Sequence, residues 1–295
     1  MKILITGSKG QLGNELKSIL SSGKSEIGKI DEAYNNSEIV YADVDELDIT
    51  DLEKVRKFIN ELKPDILINC AAKTDVDNCE ENYIASMKIN AIGPRNLAIC
   101  CENVGCKLVH VSTDYVFGGN NDKPYCEWDL CNPLGIYGKS KFLGERYVIE
   151  NCRKHFIVRT SWLYGYVGKN FVKTMINLMN KLEVVKVVND QVGNPTNAND
   201  LAYHILEIAL TDEYGLYHCT GEGECSWFDF ACKIQEYGKY NCKVVPCTSE
   251  EFKTPTKRPS YSSLRNLMLE STIGNKMRPW DEALRSYINN LREDI

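Results

Sequence analysis

The sequence predicts an α/β fold in which a doubly wound parallel sheet carries a smaller C-terminal lobe. Three observations support this prediction. A glycine-containing turn joins a short apolar run to a helical pattern near the N-terminus, apolar runs alternate with helical patterns as far as about residue 160, and the alternation becomes irregular beyond that point. Alternating short strands and helices are typical of a parallel sheet that is covered by helices on both faces.

The first element is a β-branched, apolar run at residues 2–6, followed by three glycines within residues 7–13 and then by apolar side chains at helical spacing. This order predicts a strand, a tight turn and a helix. Gly7 would form the turn, Gly10 would let the backbone approach a pyrophosphate, and Gly13 would let the helix pack closely against the strand. The G-x-x-G-x-x-G spacing departs from the commonest dinucleotide-binding fingerprint. Its position between a strand and a helix still favours the phosphate-binding loop of a Rossmann-like domain over a structural turn.

The later elements follow in order along the chain. Further strands are predicted at 39–42, 65–70, 107–111 and 156–159, and helices at 51–62, 82–104 and 137–150. Beyond these we expect a helix at 170–182, a strand at 184–188, a helix at 200–210, an extended loop at 254–259 and a final helix from near Trp280. The change in pattern predicts an NAD(P)-binding domain over residues 1–160 and a mainly substrate-binding lobe over residues 161–295, interleaved with the first.

Composition excludes several classes of function. A net charge of -6 argues against broad binding to nucleic acid or to anionic membranes. No apolar stretch approaches the roughly 18 residues of a membrane span, and no secretory signal precedes the first strand, so a cytoplasmic protein is expected. The 13 cysteines include no Cys-x-x-Cys, and the pairs Cys126 with Cys131 and Cys242 with Cys247 lack nearby histidines, which predicts mostly reduced thiols and no metal site.

A tyrosine and a lysine four residues apart, Tyr137 and Lys141, suggest acid catalysis. On a helix, these positions share one face, so both side chains can point into the same cleft. A neighbouring cation stabilises a phenolate and lowers the pKa of the phenol toward the neutral range, which makes it a better proton donor. The spacing alone also fits a solvated helix face, and the remaining motifs must distinguish the two interpretations.

Together, the glycine loop, Ser112 with Thr113, and the Tyr137 and Lys141 pair resemble the extended short-chain dehydrogenase/reductase family. Within that family, strings along nearly the whole chain are similar to the dTDP-4-dehydrorhamnose reductases. These strings lie at 10–13, 69–77, 112–117, 159–165, 170–175, 190–196, 215–218, 226–227 and 258–259. Their number and order make a chance match implausible.

The resemblance implies a particular reaction. NADPH or NADH would deliver a hydride to C4 of dTDP-4-dehydro-L-rhamnose, giving dTDP-L-rhamnose, while Tyr137 protonates the resulting alkoxide. Lys141 would hydrogen-bond the nicotinamide ribose and lower the pKa of the phenol. Thr113 would hydrogen-bond the keto oxygen and polarise it. A threonine that merely ends a strand is the alternative for Thr113.

The resemblance also implies two sets of binding residues. The cofactor-binding set contains Gly7, Gly10, Gln11, Leu12, Gly13, Asp43, Asp48, Ile49, Ala71, Ala72, Thr74, Tyr137 and Lys141. The substrate-binding set contains Val76, Thr113, Asp114, Tyr115, Tyr137, Trp162 and Arg258. Arg258 is placed there because a planar guanidinium can bind phosphate oxygens with two hydrogen bonds. Val76 could equally be a core residue, Asp48 an ordinary helix-flanking acid, and Arg258 a surface arginine.

The preference between coenzymes is open. The second strand ends at Ala42 and Asp43, and an acidic residue there binds the free ribose hydroxyl of NADH and repels the 2′-phosphate of NADPH. Lys9 in the glycine loop could offset that charge. The sequence therefore leans toward NADH and allows both coenzymes.

Three alternatives accompany this interpretation. Sugar-nucleotide dehydratases carry a glutamate base where this chain has Tyr115, so elimination of water is disfavoured. A reductase or epimerase of another nucleotide-sugar stays open, as does a non-catalytic regulatory subunit resembling the methionine adenosyltransferase β subunit. The resemblance leaves a homodimer and bound Mg²⁺ open, although the glutamates that hold Mg²⁺ in some members cannot be located in the sequence.

Overall fold

The structure is a computed structural model that describes residues 1–293. In chain order its strands are Lys2–Thr6 (β1), Lys24–Ser25 (β2), Gly28–Lys29 (β3), Glu38–Ala42 (β4), Ile66–Asn69 (β5), Lys107–Thr113 (β6), His155–Thr160 (β7), Leu163–Tyr164 (β8), Val184–Val188 (β9), Val192–Gly193 (β10), Thr196–Asn197 (β11), Gly215–His218 (β12), Cys225–Ser226 (β13) and Lys243–Cys247 (β14). The α-helices are Gln11–Ser22 (α1), Leu52–Leu62 (α2), Val76–Glu81 (α3), Tyr83–Met87 (α4), Gly93–Val104 (α5), Ile136–Asn151 (α6), Phe171–Met179 (α7), Ala198–Leu210 (α8), Trp227–Gly238 (α9), Leu267–Ser271 (α10) and Trp280–Glu293 (α11).

The central sheet has six parallel strands in the spatial order β12, β7, β6, β5, β1, β4. The chain leaves β1 for β4 on one side and then crosses to β5 on the other. Where the winding direction reverses in this way, a crevice opens at the carboxyl ends of the strands. The predicted α/β fold with a doubly wound parallel sheet is confirmed.

Apolar side chains cover both faces of this sheet. Alternate residues of β1 belong to different clusters, because successive strand side chains point to opposite faces. Ile3 and Ile5 pack with residues of α1 and α8, whereas Leu4 packs with residues of α2 and α5. All three are completely buried. Burial on both faces explains why these strands are almost continuously apolar in sequence.

A smaller lobe is built from the C-terminal half. Strands β9 and β14 form a parallel pair, and buried residues of α7, α9 and α11 form a separate apolar cluster with them. The two halves also exchange elements: β12 completes the central sheet beside β7, and α8 packs against α1. The division of the chain at residue 160 stays a prediction.

The five strands predicted for the main sheet are all present; β1 has the predicted bounds, and the bounds of the other four differ by at most two residues. The helix predicted over 82–104 is interrupted by a π-helical segment at Lys88–Ile92. Asp51 caps α2 by accepting hydrogen bonds from the amides of Glu53 and Lys54. Helix α9 and strands β12 and β14 were not predicted, because the irregular pattern of the second half hides them.

All thirteen cysteines carry free thiols. Among residues 1–293, no group of three or more His, Cys, Asp or Glu side chains is arranged to hold a metal ion. Within the same range, every helix is too short or too polar to cross a lipid bilayer.

Candidate active site

The glycine turn between β1 and α1 brings backbone close to backbone. Gly7 has φ +66°, and a Cβ there would lie 2.5 Å from the amide nitrogen of Ala71. A Cβ on Gly13 would lie 2.5 Å from the carbonyl oxygen of Gly7. Side chains at either position would force the turn apart, so both glycines are required by the close approach of α1 to the strand ends.

The N-terminus of α1 has the features of an anion site. Gly10 is the N-cap residue and supplies no side-chain hydrogen bond to the first turn. The amides of Gln11, Leu12 and Gly13 begin the helix and therefore have no acceptor four residues earlier within it. These three residues also line a cleft of about 520 Å³. Free amides at a positive helix terminus suit a pyrophosphate, so this part of the structure fits a dinucleotide.

The cleft has a volume of about 520 Å³ and opens at the carboxyl ends of the central strands. It contains all three predicted catalytic residues and most of the predicted binding residues. Its lining comprises Gly7, Gly10, Gln11, Leu12, Gly13, Cys70, Ala72, Thr74, Val76, Val111, Ser112, Thr113, Asp114, Tyr115, Tyr137, Lys141, Thr160, Ser161, Trp162, Leu163, Gly168, Lys169 and Trp227.

Thr113, Tyr137 and Lys141 are positioned by β6 and α6. Thr113 is the last residue of β6, and its hydroxyl lies next to the phenol of Tyr137 in the first turn of α6. One turn later, the ammonium of Lys141 donates a hydrogen bond of 2.6 Å to the carbonyl oxygen of Val111. The i, i+4 spacing therefore directs both side chains to the end of β6, as the sequence predicts.

Burial controls the pKa values of this group. Burial raises the pKa of the Tyr137 phenol well above its usual value, and the neighbouring Thr113 hydroxyl offsets only part of that effect. Burial also lowers the pKa of Lys141 to about 8. The expected lowering of the phenol pKa by Lys141 is not seen: the ammonium is directed at Val111, and the cost of removing a phenolate from water dominates.

Asp114 lies beside Thr113 and is almost completely buried. The Thr113 hydroxyl donates to its Oδ1 at 3.0 Å, and the hydroxyl of Ser262 donates to its Oδ2 at 2.6 Å. Burial raises the pKa of the Asp114 carboxyl to about 6, although these hydrogen bonds oppose the shift. The carboxyl group therefore titrates much closer to neutral pH than an exposed aspartate does.

Tyr115 and Arg258 occupy neighbouring parts of the site. The ring of Tyr115 meets that of Tyr137 edge to face, with centroids 5.6 Å apart. The guanidinium of Arg258 donates to both carboxylate oxygens of Asp77, each at 3.1 Å. Arg258 does not line the cleft itself, whereas Val76 next to Asp77 does. A pyrophosphate contact by Arg258 stays a prediction, and it would require this ion pair to rearrange.

An aromatic stack forms one wall of the cleft. The indole of Trp162, in the loop after β7, lies against that of Trp227, the first residue of α9. Trp162 has φ +45°, an unusual backbone conformation for a large side chain. A Cβ on Gly193 would lie 2.7 Å from the Trp162 ring, so Gly193 leaves the space that this ring occupies.

Four predicted cofactor residues do not line the cleft. Asp43 follows β4 and accepts a hydrogen bond of 3.0 Å from the amide of Lys9. Asp48 accepts from the amide and hydroxyl of Thr50, which lowers the pKa of its carboxyl. Ile49 is buried in the core, and the backbone of Ala71 lies against that of Gly7. Their roles in binding the adenosine end stay predictions.

The structure adds residues that sequence reasoning did not assign to the site. Ser112 and Thr160 line the cleft at the ends of adjacent strands, and their buried hydroxyls have no hydrogen-bond partner among the described residues. Trp227 also lines it. Adjacency to Thr113 could have indicated Ser112. The family resemblance included the string at 226–227, but nothing in the sequence paired Trp227 with Trp162, because the two are 65 residues apart and only the fold brings them together.

Comparisons with known proteins agree with this geometry. A family model described as the RmlD substrate binding domain matches residues 1–293. A solved dTDP-4-dehydrorhamnose reductase from Clostridium acetobutylicum is 50% identical with a TM-score of 0.93, covering 99% of this chain and 100% of that one. The enzyme of the same name from Bacillus anthracis, solved in complex with NADP, is 41% identical with a TM-score of 0.91, covering 98% and 99%. The spore coat polysaccharide biosynthesis protein SpsK of Bacillus subtilis is 38% identical, covering 97% of this chain and 96% of that protein.

Proposed function

This chain belongs to the dTDP-4-dehydrorhamnose reductase family, and we propose that Thr113, Tyr137 and Lys141 carry out its reaction. The chain is an NAD(P)H-dependent oxidoreductase of dTDP-rhamnose biosynthesis. It reduces the C4 keto group of dTDP-4-dehydro-L-rhamnose and gives dTDP-L-rhamnose. The observation that supports the residue assignment is that these three side chains and the glycine loop line one cleft.

The glycine loop and the start of α1 would hold the pyrophosphate of NADPH or NADH. The free amides of Gln11, Leu12 and Gly13 would donate to its oxygens, while Gly7 and Gly10 leave the backbone uncovered. The coenzyme, when bound, supplies the hydride. The Lys141 ammonium has three hydrogens and donates one to the Val111 carbonyl, so it retains donors that can bind a ribose hydroxyl.

Tyr137 would provide the proton. Hydride addition at C4 moves the carbonyl electron pair onto oxygen, and transfer of the phenolic proton converts that alkoxide into a hydroxyl. The phenolate that remains needs a nearby positive charge, and Lys141 lies one helical turn away on the same face of α6. Solvent then returns a proton to the phenolate before the next turnover.

Thr113 and the walls of the cleft would position the sugar. The Thr113 hydroxyl lies within hydrogen-bonding range of Tyr137, so a keto oxygen placed between them would be polarised by one and protonated by the other. Val76, Tyr115 and Trp162 present apolar surface around this point. Such surface suits the C5 and C6 side of a 6-deoxysugar, which lacks a hydroxyl at C6.

The decisive assay follows coenzyme absorbance. The protein is mixed with NADH or with NADPH, and dTDP-4-dehydro-L-rhamnose is added. We expect substrate-dependent oxidation of the coenzyme, with its rate in each arm giving the preference. Oxidation with a different 4-keto nucleotide-sugar instead would identify another substrate. Binding of the coenzyme without turnover of any such sugar would favour a regulatory role and contradict the proposal.

A homodimer is also proposed, on the family resemblance alone. Sedimentation of the protein with and without Mg²⁺ would test both association and a role for the ion. A single monomeric species in both conditions would contradict the proposal.

A further inference from the structure

We propose that Asp114 is a positioning residue whose protonated carboxyl group turns the Thr113 hydroxyl toward the keto oxygen of the substrate. This inference rests on the proposed function, since it concerns the same cleft and the same reaction. It assigns to Asp114 a role through Thr113, in addition to the contact with substrate that the family resemblance implies. It also gives Ser262, which lies outside the cleft lining, an indirect part in catalysis.

The carboxyl group of Asp114 is held from two sides inside the protein. Asp114 is 2% exposed, and Ser262 is 3% exposed. Oδ1 is 3.0 Å from Thr113 Oγ1 and Oδ2 is 2.6 Å from Ser262 Oγ. Among the ion pairs of residues 1–293, none includes Asp114. A buried carboxylate without a cationic partner is costly, and such a group tends to take up a proton instead.

The ionised form leaves Thr113 without a proton for the substrate. A threonine hydroxyl has one hydrogen and accepts two hydrogen bonds. The amide of Tyr115 already donates to Thr113 Oγ1 at 3.2 Å. If Asp114 is ionised, the Thr113 hydrogen points to Oδ1, and the remaining acceptor position is open to the neighbouring phenol of Tyr137. Tyr137 then donates to Thr113, and neither hydroxyl is directed at a keto oxygen.

The protonated form reverses this arrangement. Asp114 Oδ1 now donates to Thr113 Oγ1, while Oδ2 still accepts from Ser262. Both acceptor positions of Thr113 are filled, one by Asp114 and one by the Tyr115 amide, so the Thr113 hydrogen must point outward. It can then bind the keto oxygen, and the Tyr137 proton is free for transfer to the same atom. The proton count is unchanged in the reaction, because Asp114 keeps its proton throughout.

The surroundings of Asp114 allow its carboxyl group to change between the protonated and the ionised form near neutral pH. The titratable groups that face it are the phenols of Tyr115, in its own turn, and Tyr137, from α6. The C-terminal loop contributes the neutral Ser262. The charges of Arg258 and Asp77 affect the pKa of Tyr115, the residue after Asp114. Burial raises the pKa of Asp114 to about 6. Exclusion of water by a bound sugar would raise it further.

The first test compares kcat against pH for the wild type and Asp114→Asn, from about pH 5 to about pH 9. An amide cannot ionise, and its NH₂ group can donate to Thr113 while its oxygen accepts from Ser262. In the wild type we expect a limb of falling kcat that begins at or above about pH 6 and approaches tenfold per pH unit. In the variant the fall that begins at about pH 6 should be missing, whatever the absolute rate, while KM for the coenzyme stays the same. A fall above about pH 8 from deprotonation of Lys141 should remain in both proteins.

Ser262→Ala provides a second test that keeps Asp114 in place. Loss of a hydrogen bond to an ionised carboxylate disfavours ionisation, so the falling limb should move to higher pH by about one unit. This variant carries the test alone if Asp114→Asn does not fold. The same limb in all three proteins would overturn the inference while leaving the reductase assignment intact. A wild type that oxidises no coenzyme would instead overturn the proposed function.

Discussion

The indole rings of Trp162 and Trp227 lie parallel, with centroids 3.5 Å apart and planes inclined by 5°. The stack joins the loop after β7 to the first turn of α9, so it links the central sheet to the smaller lobe at the cleft. Trp162 adopts its positive φ in this contact. A conformation of this kind persists only where the surroundings hold it, and the Trp227 ring is part of those surroundings.

Replacing Trp227 with Leu should therefore weaken binding of the nucleotide-sugar. Aromatic pairs contribute roughly 0.5–1.5 kcal/mol beyond their area, so we expect KM for the sugar to rise about three- to tenfold. The Kd for the coenzyme, measured by fluorescence, should change little, because neither indole belongs to the glycine loop that would hold the pyrophosphate. Trp128→Leu is the matched control, since that indole is 68% exposed and does not line the cleft. An unchanged KM in Trp227→Leu would show that the stack does not shape the sugar site.

Replacing Tyr137 with Phe removes the proposed acid and keeps the ring. Turnover should fall by on the order of 10²-fold or more, as expected for loss of a positioned general acid. Binding of coenzyme and of the product nucleotide-sugar, measured by calorimetry, should stay near that of the wild type. Tyr147→Phe makes the same change later on α6, outside the cleft. If Tyr137→Phe retained full turnover, another group would have to supply the proton.

Lys141→Met should impair both coenzyme binding and turnover. The substitution removes the buried ammonium that lies one turn from Tyr137, so the phenolate formed in the reaction loses its nearest proposed counter-charge. We expect a larger Kd for the coenzyme and a lower kcat in the same variant. Lys139→Met changes an exposed lysine of the same helix and should affect neither quantity. A loss of kcat without any change in Kd would argue against the ribose contact.

The sheet could be predicted because its strands are local, apolar and separated by helical patterns. Each strand of the first half is recognisable by itself, and the glycine turn marks where the ligand cleft opens. Thr113, Tyr137 and Lys141 could be predicted for a similar reason, since two lie at i, i+4 on one helix and the third ends a strand. These features depend on short stretches of chain.

The remainder of the site depends on contacts between distant segments. Ser262 reaches Asp114 across 148 residues, and no periodicity links the two positions. The same applies to Trp227 and Trp162. Ion pairs are also determined by the fold. Arg258 has the chemistry of a phosphate ligand, but in the structure its guanidinium pairs with the carboxylate of Asp77, 181 residues earlier. The effect of burial on the pKa of Tyr137 could not be foreseen from the spacing of Tyr137 and Lys141.

Replacing Asp43 with Asn should shift coenzyme preference toward NADPH. The carboxylate follows β4, and a negative charge there repels a 2′-phosphate. The ratio of kcat/KM for NADPH to that for NADH should rise in the variant. Asp45→Asn should act in the same direction, because Asp45 binds the Lys9 ammonium at 2.7 Å and its loss would free that cation. Glu38→Gln, at the opposite end of β4, is the control. An unchanged ratio in both aspartate variants would mean that the 2′ position of the coenzyme ribose does not lie near Asp43 and Asp45.

The stability of the protein should depend on the ionisation of Asp114. Burial raises the pKa of this carboxyl from 3.8 to about 6, so between those values the folded state binds more protons than the unfolded state. The free energy of unfolding therefore falls as pH rises through this window, by about 3 kcal/mol for a shift of about two units. Above the window the loss is complete, and below it the contribution is fully present.

Asp114→Asn removes that dependence, because an amide binds no proton in this range. The free energy of unfolding of the variant relative to the wild type, measured in urea at a series of pH values, should therefore increase from about pH 4 to about pH 7 by up to about 3 kcal/mol. Asp122→Asn, in an exposed loop position, should show no such trend. A constant difference between Asp114→Asn and the wild type across this range would mean that Asp114 ionises as easily in the folded protein as in the unfolded chain. The carboxyl could then not act as the buried proton donor to Thr113.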